Sequence, residues 1–195
     1  MRGDFTLYFV RHGETDWNAA RRLQGQTDIC LNDIGRGQAA RNGSALKALI
    51  QDPAAMSFIS SPLSRTRETM EIVREAMGLD RSTFTFDDRL KEINFGHWEG
   101  FSWSELADRD PAGYQERMTD AFTWRPRGGE SYQDLTARAV AWLQDLTGSA
   151  VVVSHGGVSR ALRGHLVGLD PREIPDLSVP QDKVLVLRKG QMEWH

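Results

Sequence analysis

The stretch from residue 5 to residue 15 is Phe5-Thr6-Leu7-Tyr8-Phe9-Val10-Arg11-His12-Gly13-Glu14-Thr15, an apolar run that ends in a polar pentapeptide. The apolar part predicts a β-strand, and the polar part follows where that strand ends. Ligands of open α/β sheets bind at the carboxyl ends of strands, so Arg11 and His12 are candidate site residues. The positive charge of Arg11 should depress the pKa of the His12 imidazole and keep His12 neutral and nucleophilic near pH 7. For these two residues alone, an exposed turn is the alternative.

A second stretch has the same plan. Ala150-Val151-Val152-Val153-Ser154-His155-Gly156-Gly157 is again an apolar run that ends in a histidine, here followed by two glycines. The glycines would let the backbone approach a ligand closely at the start of a helix. Two strand ends that each carry a histidine favour a shared site over two unrelated turns.

The composition predicts one soluble domain spanning residues 1–195, with 39% hydrophobic and 26% charged residues. A net charge of −3 argues against a nucleic-acid-binding surface. The single cysteine, Cys30, excludes an intramolecular disulfide and fits a reducing compartment. No window approaches the roughly 20 apolar residues of a membrane helix. Arg11 interrupts the first apolar run, so we expect no signal peptide and a cytoplasmic location.

Strands and helices are predicted to alternate along the rest of the chain. The first predicted helix runs from an Asn32 N-cap to Leu49, and the second from a Ser61 N-cap, with Pro62 at the first helical position, to Gly78. The third runs from a Ser131 capping box to about Leu146, and the fourth from Val158 to about Val167. The further strands are Ser57–Ser60, Phe84–Phe86, Val151–Val153 and Val184–Leu187, and short helices broken at Pro111 are expected between Phe101 and Trp124. Such alternation predicts an α/β domain with a mostly parallel sheet.

Two further residues near strand ends carry chemistry. Arg65 lies in the first turn of a predicted helix, where backbone N–H groups and the guanidinium suit a phosphate. Glu92 is flanked by apolar and aromatic residues, and burial would raise its pKa and make it a usable acid. A solvated surface arginine and a loop glutamate paired with an arginine are the alternatives.

Together these motifs resemble the histidine phosphatase superfamily, the phosphoglycerate-mutase-like group. The resemblance rests on five segments that occur in the family's order between Leu7 and Gly157: Arg11–Thr15 with Trp17-Asn18, Leu23–Asp28, Ser60–Thr66, Glu92 with Gly96-His97-Trp98-Glu99-Gly100, and Ser154–Gly157. It implies a three-layer α/β/α domain.

The resemblance also implies roles for individual residues. His12 would attack phosphorus, Glu92 would protonate the leaving oxygen and then activate water, and the phosphoryl oxygens would be gripped by Arg11, Arg65 and His155. It further implies a substrate-binding set of Asn18, Gln24, Gly25 and Gly156, and neither a metal nor another cofactor. Three cationic or donor groups around one nucleophile supply the positioning and charge stabilisation that phosphoryl transfer needs.

The segment after Glu92 bears on the branch of the family. The family's mutases carry a longer segment there, whereas Gly96-His97-Trp98-Glu99-Gly100 resembles the phosphatase branch. We therefore expect a metal-independent phosphatase acting on small phosphate monoesters, without nucleic-acid or membrane partners, as a monomer or homodimer. A cofactor-dependent phosphoglycerate mutase and a phosphate-binding protein with little catalysis are the alternatives.

Two other enzyme classes are weaker fits. Cys30 and Arg36 have the C-x5-R spacing of cysteine phosphatases, but Leu31-Asn32-Asp33-Ile34-Gly35 is not a glycine-rich cradle. A metal hydrolase would need His12, His97, His155 and Glu92 as ligands, and no two of these histidines have helical ligand spacing.

Residues 98–129 are expected to elaborate the substrate pocket. Aromatic side chains there could stack on a base or sugar, and two arginines could hold a second anion. The residues are Trp103, Tyr114, Phe122, Trp124, Arg125 and Arg127. Core packing for the aromatics and solvation for the arginines are the alternatives.

Overall fold

A single six-stranded sheet organises the fold. The computed structural model describes residues 5–188 and 190–195, so residues 1–4 and 189 of the predicted domain lie outside it. The strands are β1 (Thr6–Arg11), β2 (Ser57–Ser60), β3 (Thr85–Phe86), β4 (Ala150–Ser154), β5 (Val184–Arg188) and β6 (Gln191–Trp194). They lie in the order β3-β2-β4-β1-β5-β6.

The sheet is mixed but mostly parallel, as predicted. β1 and β2 both pair with β4 in parallel, and β3 pairs in parallel with β2. β5 runs antiparallel to β1, and β6 returns antiparallel to β5. β6 was not predicted, because only Met192 and Trp194 in it are hydrophobic and its alternate residues are exposed. The parallel strands β1 and β4 bring Arg11 opposite Ser154, so both strand-end histidines leave the same edge of the sheet.

Helices cover both faces of the sheet, giving the three-layer α/β/α architecture. Seven helices occur in the described part of the chain: α1 (Asp16–Ala19), α2 (Asp33–Leu49), α3 (Ser64–Met77), α4 (Trp103–Arg109), α5 (Pro111–Thr119), α6 (Tyr132–Asp145) and α7 (Gly156–Val167). Short 3₁₀ helices occupy Pro53–Ala55, Asp88–Leu90, Gly96–Trp98 and Pro171–Asp176. α2 and α3 pack on one face of the sheet, where Val10 and Val153 point. α6 and α7 pack on the other, where Leu7 and Val152 point.

Local signals placed several helix ends correctly. Asn32 caps α2 by accepting a hydrogen bond from Gly35 N, and Ser131 forms the predicted capping box with Asp134. Gly78 ends α3 in the left-handed conformation, with φ of 82°. These ends depend on contacts within a few residues, which is why the sequence predicts them.

Two helix starts differ from the prediction. α3 begins at Ser64, and its N-cap is Leu63 in extended geometry, so Ser61 is not the cap and Pro62 is not the first helical residue. Ser61 and Pro62 continue the chain off the end of β2 instead. α7 begins at Gly156, two residues before the predicted Val158, and His155 is its N-cap residue. Packing of buried glycines at this turn overrides their low helix propensity.

The predicted pocket segment forms a small helical unit. α4 and α5 are separated before Pro111, as predicted, and Asp110 caps α5 by accepting from Gly113 N. Trp98 is fully buried and packs against Trp124, with ring centroids 4.2 Å apart. Within the residues described, no helix combines the length and hydropathy of a membrane span.

Candidate active site

The carboxyl ends of the parallel strands open into a cavity of about 520 Å³. It receives side chains from β1, all of the α-helices except α2, the loop after α1, the loop that holds Glu92 and the 3₁₀ helix Pro171–Asp176. The lining residues are Arg11, His12, Asn18, Arg21, Arg22, Leu23, Gln24, Gly25, Arg65, Glu92, Phe95, Trp103, Arg117, Tyr132, Arg160, Pro175 and Asp176. Six of them are arginines and two are carboxylates, so an anionic chain has a strongly cationic cavity.

His12 lies on the wall of this cavity and is only 2% exposed. Its Nδ1 is 2.7 Å from the Gly13 carbonyl oxygen, which can only accept, so Nδ1 carries the proton. Burial lowers the pKa of His12 well below its ordinary value, and the charges of Arg65 and Arg11 lower it further. The ring is therefore neutral near pH 7, with an unprotonated Nε2 available as a nucleophile.

Arg65 is fully buried in the first turn of α3, as its sequence position predicted. Its terminal nitrogens donate to the carbonyl oxygens of Thr27 (2.8 Å) and Gly25 (2.7 Å). Its Nε has no hydrogen-bond partner among the described residues. Burial lowers the pKa of Arg65, and Glu92 opposes that shift. A buried guanidinium held by two carbonyls keeps its Nε–H available to a ligand.

Arg11 repeats this arrangement at the end of β1. One terminal nitrogen donates to the Val179 carbonyl oxygen at 2.7 Å, and its buried Nε has no partner in the described part of the chain. Burial lowers the pKa of Arg11 to about 10, which leaves it charged at neutral pH. Unsatisfied buried donors are costly, and an oxyanion between Arg11 and Arg65 would satisfy both.

His155 stands behind His12, with ring centroids 5.2 Å apart in an edge-on arrangement. It is fully buried, and its Nε2 lies 2.8 Å from the Ser61 hydroxyl, the group that the sequence had suggested as a helix cap. Its Nδ1 has no partner within residues 5–188 and 190–195. Burial lowers the pKa of His155 well below its ordinary value, followed by the charge of Arg65.

Glu92 enters the cavity from the loop after the 3₁₀ helix Asp88–Leu90. Its carboxylate accepts from the backbone N–H of Gly157 at 3.0 and 3.1 Å, and from that of Ile93 at 2.9 Å. The side chain is half-buried, and backbone donors of the first turn of α7 hold it. The apolar enclosure expected from the sequence is therefore only part of its surroundings.

The structure also brings the predicted substrate-binding residues together. Asn18, Gln24 and Gly25 line the cavity, and Gly25, at φ of 51°, presents the carbonyl that holds Arg65. Gly156 lies beside it: a Cβ there would be 3.5 Å from Arg11 Nε and 3.6 Å from an Arg160 terminal nitrogen. Gly156 therefore lies within van der Waals distance of two guanidinium groups.

Four cavity arginines were not predicted, namely Arg21, Arg22, Arg117 and Arg160. Arg160 lies four residues after Gly156 on α7, and it donates to the Leu177 carbonyl oxygen at 2.7 Å and to the Tyr132 hydroxyl at 3.4 Å. Arg117 comes from α5, with its guanidinium 4.4 Å from the centre of the Trp103 ring. The i, i+4 spacing from a strand-end glycine could have indicated Arg160.

The two arginines proposed from the sequence to hold a second anion do not do so. Arg125 pairs with Asp134 at 2.7 Å on the surface, and Arg127 is exposed. Neither is among the cavity-lining residues of the described chain. Of the aromatic residues proposed with them, Trp103 lines the cavity. Tyr114, Phe122 and Trp124 are not among its lining residues, and Phe122 packs against the core.

The residues of the two weaker enzyme classes lie elsewhere. Cys30 is exposed, and Arg36 pairs on the surface with Glu68 and Asp33. His97 contacts Asp110 at 3.1 Å, outside the cavity lining. No cluster of three or more potential metal ligands of the His, Cys, Asp or Glu type occurs among the residues described.

Comparison with known proteins shows the family of the chain. The model of the histidine phosphatase superfamily (branch 1) matches residues 7–195. The chain belongs to this superfamily. One relative is named "Probable phosphoglycerate mutase GpmB", from Salmonella paratyphi C. It is 37% identical over 168 residues, which cover 84% of this chain and 75% of the relative.

Two solved structures share the fold. A mycobacterial glucosyl-3-phosphoglycerate phosphatase in complex with VO3 is 31% identical, with a TM-score of 0.78 over 98% of this chain and 96% of that one. The alpha-ribazole phosphatase of Shigella flexneri is 24% identical, with a TM-score of 0.81 over 97% of this chain and 94% of that one, and at that identity shows the fold alone.

Proposed function

We propose that the protein hydrolyses small organic phosphate monoesters through a phosphohistidine intermediate on His12. The observation that carries this proposal is the tautomer of His12. The Gly13 carbonyl fixes the proton on Nδ1, so the bare Nε2 belongs to a buried ring whose pKa is lowered by burial and by two neighbouring guanidinium groups. A neutral imidazole is a nucleophile, and the same guanidinium groups attract the phosphoryl anion.

In the first step, His12 Nε2 attacks phosphorus and forms the N–P bond while the bond from phosphorus to the ester oxygen breaks. Glu92, once protonated, gives its proton to that leaving oxygen. Arg11, Arg65 and Asn18, which line the cavity, would hold the phosphoryl oxygens, together with His155 beside the His12 ring. In the second step, Glu92 takes a proton from water as the water oxygen attacks phosphorus and the N–P bond breaks, releasing inorganic phosphate.

The cationic cavity supports a more specific substrate class, a phosphate monoester that carries a second anionic group. The guanidinium groups of Arg11 and Arg160 both lie near Gly156, and the charge of Arg160 lowers the pKa of Arg117, after burial. Arg65, Arg11, Arg160 and Arg117 all line the cavity, so it holds more guanidinium groups than one phosphate needs. A carboxylate or second phosphate on the substrate would neutralise the cavity arginines that the first phosphate does not contact.

A comparison of 3-phosphoglycerate with glycerol 3-phosphate tests that class. We expect kcat/KM to be about 10 to 100 times higher for 3-phosphoglycerate, which carries a carboxylate besides its phosphate, and we expect Arg117→Met to remove that preference. Arg109→Met is the matched control, because Arg109 also stacks on an aromatic ring, that of Phe101, but does not line the cavity. Equal preference in wild type and Arg117→Met would remove the second-anion assignment.

The intermediate can be trapped directly. Brief incubation with a labelled phosphate monoester should give protein label that is lost in acid and survives alkali, and that is absent from His12→Ala. Label that survives acid, or that persists in His12→Ala and disappears from Cys30→Ser, would assign another nucleophile.

The mutase alternative is favoured by the name of the GpmB relatives and opposed by the short segment after Glu92. Incubation with 3-phosphoglycerate and catalytic 2,3-bisphosphoglycerate distinguishes a mutase from a phosphatase. A phosphatase should release inorganic phosphate and form little 2-phosphoglycerate. Isomerisation that far outpaces phosphate release would replace the phosphatase proposal with the mutase.

A further inference from the structure

Residues 177–181, between the 3₁₀ helix Pro171–Asp176 and β5, are held mainly by side chains from other elements. Four of the five backbone carbonyl oxygens in this segment accept a side-chain hydrogen bond. The pairs are Leu177 with Arg160 (2.7 Å), Ser178 with Arg163 (2.7 Å), Val179 with Arg11 (2.7 Å) and Gln181 with Asn42 (2.9 Å). The segment is thus fixed against the cavity wall and against α2.

The side chain of Gln181 reaches from this fixed backbone to His12, the proposed nucleophile. Its side-chain nitrogen Nε2 lies 3.1 Å from the carbonyl oxygen of His12 and 3.1 Å from Oδ1 of Asn18. A backbone carbonyl can only accept, so the end of Gln181 that faces His12 is its NH₂ group. The same NH₂ group then requires an acceptor on Asn18.

The backbone of Thr15 gives the same assignment for Asn18 independently. The Thr15 N–H lies 3.2 Å from Asn18 Oδ1, and an N–H can only donate. Oδ1 of Asn18 therefore accepts from both sides, and the hydrogen-bonding group that remains on this amide is its NH₂. Asn18 lines the cavity, so its NH₂ group is the one left to face a ligand.

We propose that Gln181 is a positioning residue that keeps the Asn18 amide turned so that its NH₂ group donates to the phosphoryl oxygens. The proposal rests on the proposed function. Without Gln181 the Asn18 amide keeps only its hydrogen bonds from Thr15, so it rotates more readily and presents its carbonyl oxygen, which a phosphoryl dianion repels. Asn42 supports the arrangement, because this 1%-exposed side chain of α2 holds the Gln181 carbonyl.

Two substitutions of Gln181 test the role. Gln181→Met keeps the length of the side chain but removes its donor, and we expect kcat/KM to fall about tenfold and the affinity for orthovanadate to fall by a similar factor. Gln181→Glu places acceptors opposite the His12 carbonyl and Asn18 Oδ1, and we expect a loss of about a hundredfold. Gln51→Met, at an exposed glutamine, should leave both quantities unchanged.

A double-mutant cycle with Asn18→Ala separates positioning from a general structural effect. If Gln181 acts through Asn18, Gln181→Met should change kcat/KM less than about twofold in the Asn18→Ala background. An undiminished tenfold effect there, or wild-type kinetics in Gln181→Met, would overturn the proposal.

Binding of orthovanadate measured by calorimetry distinguishes this proposal from the proposed function. If the wild-type protein has no phosphatase activity, the proposed function fails, and weaker orthovanadate binding by Gln181→Met than by Gln51→Met would still support the positioning role. Equal binding by the two variants would reject it.

Discussion

Gly157 offers a way to displace Glu92 without changing its chemistry. A Cβ at position 157 would overlap Glu92 Oε1 and lie 3.1 Å from Leu135 Cδ2. The carboxylate of Glu92 would then have to move by about 1 Å, a misplacement that can cost 10²-fold in rate. It would also lose the hydrogen bond from Gly157 N. Gly157→Ala therefore perturbs the position of the proposed acid and leaves its carboxyl group in place.

The size of the effect should depend on the leaving group. An alkyl alkoxide needs a proton as it leaves, whereas p-nitrophenolate hardly does. We expect Gly157→Ala to slow single-turnover phosphorylation of His12 by an alkyl phosphate about 10²-fold, and phosphorylation by p-nitrophenyl phosphate much less. Glu92→Gln, which cannot transfer a proton at all, should slow the alkyl reaction by about 10² to 10⁴. Water attack on the intermediate should slow for both substrates.

The matched control is Gly37→Ala in α2, where a Cβ would meet nothing within 4 Å. That variant should gain about 0.5 to 1 kcal/mol of stability and keep wild-type rates. Equal slowing of phosphorylation for both leaving groups in Gly157→Ala and Glu92→Gln would refute the acid role and show that Glu92 orients the site. Another acid, such as His155, would then have to be sought.

Three further outcomes are expected. Burial lowers the pKa values of His12 and His155 well below their ordinary value of about 6.5, so the unfolded chain binds more protons than the folded one as the pH falls below about 6.5, and stability is lost. The thermal midpoint should therefore drop more between about pH 8 and pH 5 in wild type than in His155→Gln, and equal drops would contradict this. Lysine in Arg65→Lys cannot replace both hydrogen bonds to Gly25 and Thr27 while reaching a phosphate, so inhibition by orthovanadate should weaken about 10- to 100-fold. Arg36→Lys, a surface substitution, should be inhibited like wild type, and equal inhibition of the two variants would count against the role of Arg65. Activity should survive EDTA and fall with vanadate, because arginines meet the phosphoryl charge, and complete loss with EDTA that one metal restores would favour a metal hydrolase.

The sequence predicts most of the architecture because the signals are local. Helix ends at Asn32, Gly78 and Ser131 depend on hydrogen bonds and backbone conformations within a few residues. The apolar runs before His12 and His155 predict parallel strands, and parallel strands place both histidines at one edge of the sheet. The family motifs add Arg65 and Glu92 to that edge, and the structure places His12, Arg65 and Glu92 around one cavity with His155 beside His12.

Tertiary structure alone decided which arginines face the cavity. Arg117 and Arg125 come from the same segment and look equivalent in sequence, but α5 carries one over Trp103 while the following turn leaves the other with Asp134 at the surface. The direction of β5 was likewise undetermined, since a strand's apolar pattern is the same for parallel and antiparallel pairing.

The same limit applies to the tautomer of His12 and to Gln181. The proton on His12 Nδ1 is fixed by the local geometry of the Gly13 carbonyl, which residue identity does not determine. Gln181 has no motif around it and reaches His12 and Asn18 across more than 160 residues of sequence. Composition and periodicity determine which elements form, but hydrogen bonds between distant elements exist only once those elements have packed.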